Sequence, residues 1–179
     1  MVSCRTVHQS SHVDGLVALG QYRAVAEVDN KTIDEINILQ ATMKAMREAV
    51  ANLSSKYAAA GVAPDAVLVD GNRCPWGNPA GTTAKGGERP ADPPAPPNLR
   101  RCIAVIKGDG HVRAIAAASV LAKVHRDRLC REHHALYPEY GIGSHKGYPC
   151  AAHKAAVAQH GPSPIHRLSF GGVKEHAKQ

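Results

Sequence analysis

The chain has 179 residues, of which 44% are hydrophobic and only 4% aromatic, and its formal net charge is +7. This length fits one domain, and the basic balance favours a polyanionic partner such as nucleic acid. The cysteines are five in number and widely spaced, and we expect no signal peptide, a combination that does not resemble a disulfide framework and favours a reducing compartment. No apolar run has the length of a membrane span, so we expect no membrane partner.

The N-terminal part of the sequence predicts one strand and one long helix. Residues 1–19 show no clear period, and the stretch 21–28 predicts a strand. Thr32 followed by Glu35 forms a capping box, and Gly61 supplies a helix stop. Between them, apolar residues recur on one helical stripe: Ile36, Leu39, Met43, Met46, Val50, Leu53 and Tyr57.

Two short apolar runs follow, and each leads to an aspartate. Residues 66–69 predict a buried strand that ends at Asp70, and residues 102–109 predict a second strand that ends at Asp109. Between them, residues 76–98 are rich in Gly and Pro and predict a disordered insertion.

The remainder of the sequence is mainly helical. The pattern predicts an Ala-rich helix over 112–136, a loop at 144–149, a short helix over 151–160 that Gly161 ends, and a basic, half-extended tail from residue 163. Strands that alternate with helices indicate an α/β domain. Ligands in such sheets lie beyond the strand ends.

Asp70 and Asp109 are the first candidate site. If their strands are neighbours, the two carboxylates approach each other and repel, so either one is protonated or a cation lies between them. Oxygen ligands favour Mg²⁺ or Mn²⁺, ions that activate water and stabilise a phosphoryl oxyanion. Two unrelated turn aspartates would give the same pattern.

Ser119, Lys123 and Asp127 are the second candidate site. They are four residues apart and share one face of the Ala-rich helix, where a hydroxyl and an ammonium group could meet a phosphate backbone. The alternative is a solvated ion pair between Lys123 and Asp127.

The third candidate is the loop "HKGY", His145 to Tyr148. A glycine beside a tyrosine in a basic loop could present the ring to a sugar or base, whereas the alternative is a buried tyrosine. A separate alternative is a structural zinc site, because Cys130 with His133 and Cys150 with His153 are each spaced C-x₂-H.

Taken together, five motifs in this order strongly resemble the ribonuclease HII family, also called type 2 ribonuclease H. The resemblance covers residues 20–174 apart from the insertion at 76–98, leaving 1–19 unassigned and 175–179 as a tail. The motifs are "IDEINILQATMKAMREAV", "LVDGNRCP", "KGDG" leading into "IAAASVLAKVHRDR", "YPEYGIGSHKGYP" and "SPIHRLSFGGV".

The resemblance implies a ribonuclease H-like mixed sheet flanked by helices, here lacking the N-terminal strand or strands. It implies an endonuclease that uses Mn²⁺ or Mg²⁺ to cleave the RNA strand of RNA–DNA hybrids and to cleave at ribonucleotides embedded in DNA, giving 5′-phosphate products. We expect a monomer, located in the cytoplasm if the source is bacterial and in an organelle or the nucleus if it is eukaryotic.

The resemblance also implies roles for individual residues. Asp70 and Asp109 match two of the family's four active-site carboxylates, and Tyr148 matches the tyrosine that packs on the sugar at the RNA–DNA junction. Contacts to the nucleic-acid backbone or catalytic neighbours are implied for the polar residues around them, namely His145, Lys146, Ser119 and Lys123.

One departure from the family is large. The family begins with a strand that carries an Asp-Glu pair followed by a Gly-Arg-Gly loop, and the nearest segment here, residues 12–20, has one acid and no such loop. We therefore expect an N-terminally truncated chain with weak metal binding, a poorly positioned water, uncovered strand edges and little or no cleavage by itself. The alternative is a non-catalytic protein that binds nucleic acid or a partner subunit.

Overall fold

A computed structural model describes residues 2–3, 6–8, 23–59, 66–77, 99 and 101–177. The strands are β1 (Val2–Ser3), β2 (Thr6–His8), β3 (Glu27–Val28), β4 (Val67–Asp70) and β5 (Cys102–Val105). The helices are α1 (Asn30–Ala59), α2 (Arg113–Leu136), α3 (Ile142–His145) and α4 (Ala151–His160), with 3-10 turns at Gly108–Gly110 and Pro138–Tyr140. The mixed α/β class is thereby confirmed.

The larger sheet has three strands in the order β2-β4-β5. β4 and β5 are parallel, with Val67 opposite Cys102 and Asp70 opposite Val105. β2 pairs antiparallel with the other edge of β4, and β1 pairs antiparallel with β3 in a separate two-stranded sheet. The expectation that the remaining strand edges lie uncovered is therefore wrong for β4, because β2 supplies its missing hydrogen-bond partners.

α1 begins earlier than the sequence predicts and is interrupted. Asp29 Oδ1 accepts the amide of Thr32 over 2.7 Å, so Asp29 caps the helix and the predicted capping box at Thr32 is wrong. At Asn37 the backbone turns to φ 66°, and the Asn37 side chain accepts the amides of Leu39 and Gln40. Asn37 thus caps the second part of α1. The predicted stop at Gly61 lies outside the described residues.

The break changes which residues of α1 face the core. Leu39, which the predicted stripe placed inside, is 38% exposed. The first hydrophobic cluster joins α1 to the sheet and consists of Ala26, Val28, Ile33, Ala41, Ala45, Met46, Ala49, Val50, Val67 and Val69. Small alanines at four-residue spacing let α1 lie close to the strands.

Two N-terminal predictions change in the structure. Of the strand predicted over 21–28, residues 23–28 are described, and among these only Glu27 and Val28 form a strand, paired with the two residues of β1. The unassigned segment 1–19 contains β1 and β2, and its residues 9–19 lie outside the described part. Of the predicted insertion, Trp76 packs against the first cluster, while residues 78–98 lie outside the described part.

The C-terminal half packs around α2. A second cluster, comprising Cys130, Tyr140, Ile142, Val157 and Val173, joins α2 to α3, α4 and the tail. The predicted helices over 112–136 and 151–160 are confirmed within one residue. The loop predicted over 144–149 is too long, because Ser144 and His145 belong to α3. None of the helices in the described part of the chain is both long and apolar enough to cross a membrane.

The tail from residue 163 is not half-extended. It forms successive turns in which Ser163, His166 and Val173 are buried. Asp34 of α1 accepts hydrogen bonds from the amide of Leu168 over 2.7 Å and from the amide and hydroxyl of Ser169. These contacts fold the tail back onto the first turns of α1.

Candidate active site and nucleic-acid groove

Asp70 is the last residue of β4 and is half-buried. Beyond it the chain turns at Gly71, whose φ of 111° is a conformation that side chains rarely adopt. The Gly71 amide donates to the carbonyl of Val105 over 2.9 Å. The end of β4 is therefore tied to the end of β5, and both strands finish at one edge of the sheet.

Asp109 lies at the same edge, although not on the strand itself. β5 ends at Val105, and Asp109 occupies the 3-10 turn Gly108–Gly110 that leads into α2. The preceding Lys107 takes a left-handed conformation with φ 53°. The prediction of a strand over 102–109 was too long, because this reversal ends the pairing with β4.

Gly108 ties the turn that carries Asp109 to the carboxylate of Asp70. Its amide donates to Asp70 Oδ1 over 2.9 Å, so the residue next to Asp109 is bonded to the Asp70 carboxylate. A Cβ at Gly108 would lie 2.6 Å from Cδ1 of Ile115 and 3.2 Å from Cβ of Val105. A larger residue at this position would require Ile115 or the turn to shift, so glycine favours the close approach of the turn to the sheet and to α2.

The donor set at this edge suits a hard divalent cation. Carboxylate oxygens are the ligands of Mg²⁺ and Mn²⁺, and Mg²⁺ is commonly held by one or two carboxylates together with substrate phosphates. A carboxylate has about four lone-pair sites, so the bond from Gly108 is compatible with a metal ligand at Asp70. Within the described ranges, no group of three or more His, Cys, Asp or Glu side chains could hold a metal ion.

That finding also bears on the zinc alternative, whose four residues are all described. Cys130 is buried in the second hydrophobic cluster, and the His153 ring bonds to His166 and stacks on His145. The four proposed ligands do not converge, so the zinc alternative is wrong.

A groove of about 810 Å³ runs beside α2 and takes in four of the predicted contact residues, Ser119, Lys123, Lys146 and Tyr148. Asp70, Asp109 and His145 are not among its lining residues. The turn that carries Asp109 leads directly into α2, and Ser119 follows two turns into that helix. The carboxylate edge and the groove are thus connected by one helix.

Lys123 both lies in the groove, where it could meet a phosphate, and forms the ion pair with Asp127 that was the alternative. It lines the groove and also pairs with Asp127, with the ammonium 2.5 Å from Oδ1. Hydrogen bonding to Lys123 lowers the pKa of Asp127 below its ordinary value. The side chain of Lys123 is 54% exposed, so a solvated pair of this kind leaves it accessible to a phosphate.

The loop after α3 holds Tyr148 in an exposed position. The carbonyl of Lys146 accepts Nη2 of Arg126 over 3.1 Å, and the amide of Gly147 donates to Nδ1 of His145 over 3.2 Å. The carbonyl of Tyr148 interacts with the amide of Cys150 and with Nδ1 of His153. Tyr148 is nevertheless 65% exposed, so the alternative of a buried tyrosine is wrong.

His145 supports the loop from inside. Its Nε2 lies 2.8 Å from the carbonyl of Tyr140, and its ring stacks on His153. Gly147 has φ 77°, and a Cβ there would lie 3.5 Å from the Arg126 guanidinium. The turn therefore depends on a glycine between the two basic residues and the tyrosine.

The groove contains further residues that the sequence patterns did not indicate. They include Arg126, Lys154, His166, Arg167 and Phe170, and the groove is also lined by His153, which the sequence indicated only as a zinc ligand. Arg126 could have been found, because it lies three residues after Lys123 on the same helix. Arg167 lies 4.4 Å from the centre of the Phe170 ring, but the tail that carries both gives no periodic signal.

Fold and site together define an α/β protein with two carboxylates at one edge of its sheet and a basic groove that contains an exposed tyrosine. This combination suits a polyanionic ligand. Consistent with this, the family model described as Ribonuclease HII matches residues 17–173. The chain therefore belongs to the ribonuclease HII family.

Similar curated proteins carry the same family name. Ribonuclease HII of Dechloromonas aromatica is 49% identical over 150 residues, which are 84% of this chain and 62% of that protein. The identity is also 49% with Ribonuclease HII of Paracidovorax citrulli, over 84% of this chain and 51% of that protein. Ribonuclease HII of Geotalea daltonii is 45% identical over 84% of this chain and 56% of that protein. The chain thus spans between 51% and 62% of the length of these three relatives.

Proposed function

We propose that this chain supplies part of an endoribonuclease that hydrolyses the RNA strand of RNA–DNA hybrids and cleaves at ribonucleotides embedded in DNA. The observation that carries the proposal is the hydrogen bond from Gly108 to Asp70, which holds the turn of Asp109 against the Asp70 carboxylate, directly before the helix that lines the basic groove. Family membership supports the same activity.

Asp70 and Asp109 are the residues proposed to hold Mg²⁺ or Mn²⁺. When bound, such an ion would activate a water molecule and stabilise the charge that develops on the phosphoryl oxygens. Attack of the water on phosphorus would break the bond to the 3′-oxygen, so the products would carry a 3′-hydroxyl and a 5′-phosphate. The bond from Gly108 fixes the orientation of the Asp70 carboxylate, so one ligand is preorganised before any nucleic acid arrives.

The groove residues are proposed to hold the nucleic acid. Lys123 and Lys146 neutralise backbone phosphates, and the hydroxyl of Ser119 donates to phosphate oxygens. Tyr148 packs its exposed ring on the sugar at the RNA–DNA junction. His145 acts from behind the loop, because both of its ring nitrogens already have partners within the chain.

We further propose that the chain by itself binds metal weakly and cleaves slowly. The sequence contains no Gly-Arg-Gly tripeptide, and its Asp34-Glu35 pair lies on α1, where Asp34 holds the tail. Two carboxylates in place of four leave the water poorly positioned. Under the alternative function, a nucleic-acid-binding or partner-binding protein, binding would remain and cleavage would be absent.

Cleavage of a labelled RNA–DNA hybrid and of a duplex with one embedded ribonucleotide, in Mn²⁺ and in Mg²⁺, tests the proposal. We expect slow cleavage that is lost in both Asp70→Asn and Asp109→Asn. Glu132→Gln is the matched control, because Glu132 is an exposed carboxylate paired with Arg128 on α2.

Three results distinguish the proposed endoribonuclease from the two non-catalytic alternatives. Cleavage that persists in Asp70→Asn would overturn the assignment of the metal ligands. Salt-dependent hybrid binding without any cleavage by the unaltered chain would favour the non-catalytic alternative. A stable complex with a partner protein and no affinity for nucleic acid would favour the partner-binding alternative.

A further inference from the structure

Three histidine rings stand in a row behind the Tyr148 loop. His145, on α3, stacks on His153, on α4, with ring centres 4.4 Å apart and planes at 23°. Nε2 of His153 lies 3.0 Å from Nε2 of His166, in the tail. The row therefore links three segments that are separate in sequence.

The partners of the rings determine which nitrogen carries each proton. Nδ1 of His166 accepts the amide of Ser163 over 3.1 Å and also lies 2.7 Å from the Ser163 hydroxyl. The proton of neutral His166 is therefore on Nε2 and is donated to Nε2 of His153. That contact leaves the proton of His153 on Nδ1, which lies 3.1 Å from the carbonyl of Tyr148.

The row is anchored at its far end. His166 is only 7% exposed, and its carbonyl accepts Nδ2 of Asn30 over 2.8 Å. The ring of Tyr140 packs against His166, with centres 4.8 Å apart. A continuous chain of contacts thus runs from α1 through His166 and His153 to the backbone of the exposed tyrosine.

We propose that His153 and His166 are positioning residues for Tyr148, acting through the hydrogen bond from His153 Nδ1 to the Tyr148 carbonyl. The inference rests on the proposed role of Tyr148 in contacting the nucleic acid. His166 determines which nitrogen of His153 is protonated, and His153 holds the carbonyl, so the ring of Tyr148 is preorganised for its ligand.

The charged surroundings fit a row of neutral rings. The histidine facing His153 is His145, and the groups facing His166 are His153 and the phenol of Tyr140. Burial lowers the pKa of both His153 and His166 below 6.5, and the adjacent histidine lowers each further. The charged residues that line the same groove are Asp29, Lys123, Arg126, Lys146, Lys154 and Arg167.

A double-mutant cycle on hybrid binding tests the proposal with the full chain, a labelled RNA–DNA hybrid and no divalent metal. In the unaltered chain, Tyr148→Ala is expected to weaken binding about tenfold. In a His153→Ala background, the same change should weaken binding by less than about twofold, because the ring is no longer held in place.

Two conservative variants separate positioning from general packing. The amide nitrogen of Asn lies near the position of imidazole Nδ1, whereas that of Gln lies near Nε2. His153→Asn should therefore restore most of the Tyr148→Ala effect, and His153→Gln should not. Equal effects of Tyr148→Ala in all backgrounds would overturn the positioning role while leaving the proposed function intact.

If Tyr148→Ala leaves binding by the unaltered chain unchanged, the proposed contact of Tyr148 fails, and the positioning role fails with it. A measurement without any variant covers the case in which His153→Ala does not fold. Nitrogen-15 NMR of the histidine rings should find the proton of His153 on Nδ1 and that of His166 on Nε2. The opposite tautomer at His153 would overturn the proposal.

Discussion

The backbone amide of Gly108 donates a 2.9 Å hydrogen bond to Oδ1 of Asp70, across 38 residues of sequence. Through this bond, the carboxylate that ends β4 orients the turn that follows β5. The geometry of the candidate metal site is therefore a property of the glycine as well as of the two aspartates.

Gly108→Ala tests how closely the turn must pack. Its methyl group would lie 2.6 Å from Ile115 Cδ1, so we expect a loss of about 1–3 kcal/mol in the free energy of unfolding. Gly110→Ala is the control, because a Cβ there meets nothing within 4 Å. Urea denaturation of both variants measures the difference, and equal stabilities would show that the turn moves away without cost.

Asp34→Ala is expected to release the tail from α1. Burial opposes ionisation of Asp34, but hydrogen bonds from Ser169 and from the amides of Leu168 and Ser169 outweigh it, so the pKa lies below the ordinary 3.8. Since these bonds are largely exposed, we expect a loss of about 1–2 kcal/mol. Faster proteolysis within residues 163–177 would report the release.

The control for Asp34 is its neighbour Glu35, which is exposed on the same turn. Glu35→Ala should leave both the stability and the proteolysis rate unchanged. The pKa of Asp34 is lower in the folded chain than in the unfolded chain. Its contribution to the free energy of unfolding is therefore present above the unfolded-state pKa and is lost as the pH falls through the folded-state pKa. A tail that stays protected in Asp34→Ala would contradict this account.

The histidine row predicts that stability falls on mild acidification. Burial lowers the pKa of His153 and His166 below 6.5 in the folded chain. Below about pH 6.5 the unfolded chain therefore binds more protons, and the free energy of unfolding decreases as the pH drops toward the folded pKa values. Above about pH 6.5, the two histidines make their full contribution to the free energy of unfolding. Urea denaturation at about pH 7.5, 6.5 and 5.5 measures the slope.

Replacement of His166 should flatten this slope. His166→Gln removes one of the two groups that must be neutral in the folded chain, whereas His111→Asn changes an exposed histidine outside the row. We expect the free energy of unfolding to depend less steeply on pH in His166→Gln and to keep its pH dependence in His111→Asn. An unchanged slope in His166→Gln would show that other groups cause the acid sensitivity.

Salt dependence should distinguish the two kinds of groove residue. Lys146→Ala removes a proposed phosphate contact, so the slope of log K against log salt should decrease by about 0.7–0.9. Tyr148→Ala should weaken hybrid binding by about 1–3 kcal/mol without changing that slope.

The control for the salt experiment is Lys56→Ala. The ammonium group of Lys56 donates to the carbonyl of Arg23, near the end of α1. Since Lys56 is not among the residues that line the groove, neither slope nor affinity should change. A slope change for Tyr148→Ala as large as that for Lys146→Ala would mean that the tyrosine acts through the electrostatics of the loop.

Patterns of apolar residues along the sequence predicted β4 and α2, whose conformations depend mainly on neighbouring residues. The apolar run into Asp70 and the Ala-rich sequence of α2 gave a strand end and a helix close to those observed. Asn37 was missed because the apolar period continues through it, while its side chain caps the second part of α1. β2 was missed because three residues are too few for a period.

The candidate site residues could be proposed from the sequence where they lie within a motif. Asp70, Asp109 and Tyr148 each follow a short recognisable stretch. The contact of His153 with His166 joins α4 to the tail, and the contact of Asp34 with Leu168 spans 134 residues. Neither leaves a periodic signal, because tertiary packing alone brings the partners together.

The bonds from Asn30 and Asp34 to residues 164–169 also constrain the order in which the protein assembles. During synthesis, the first turns of α1 emerge long before the backbone groups that they hold. These bonds close a very long stretch of chain, and each can form only after its partner within residues 164–169 has left the ribosome. Until then, the start of α1 remains without the partners it has in the finished fold.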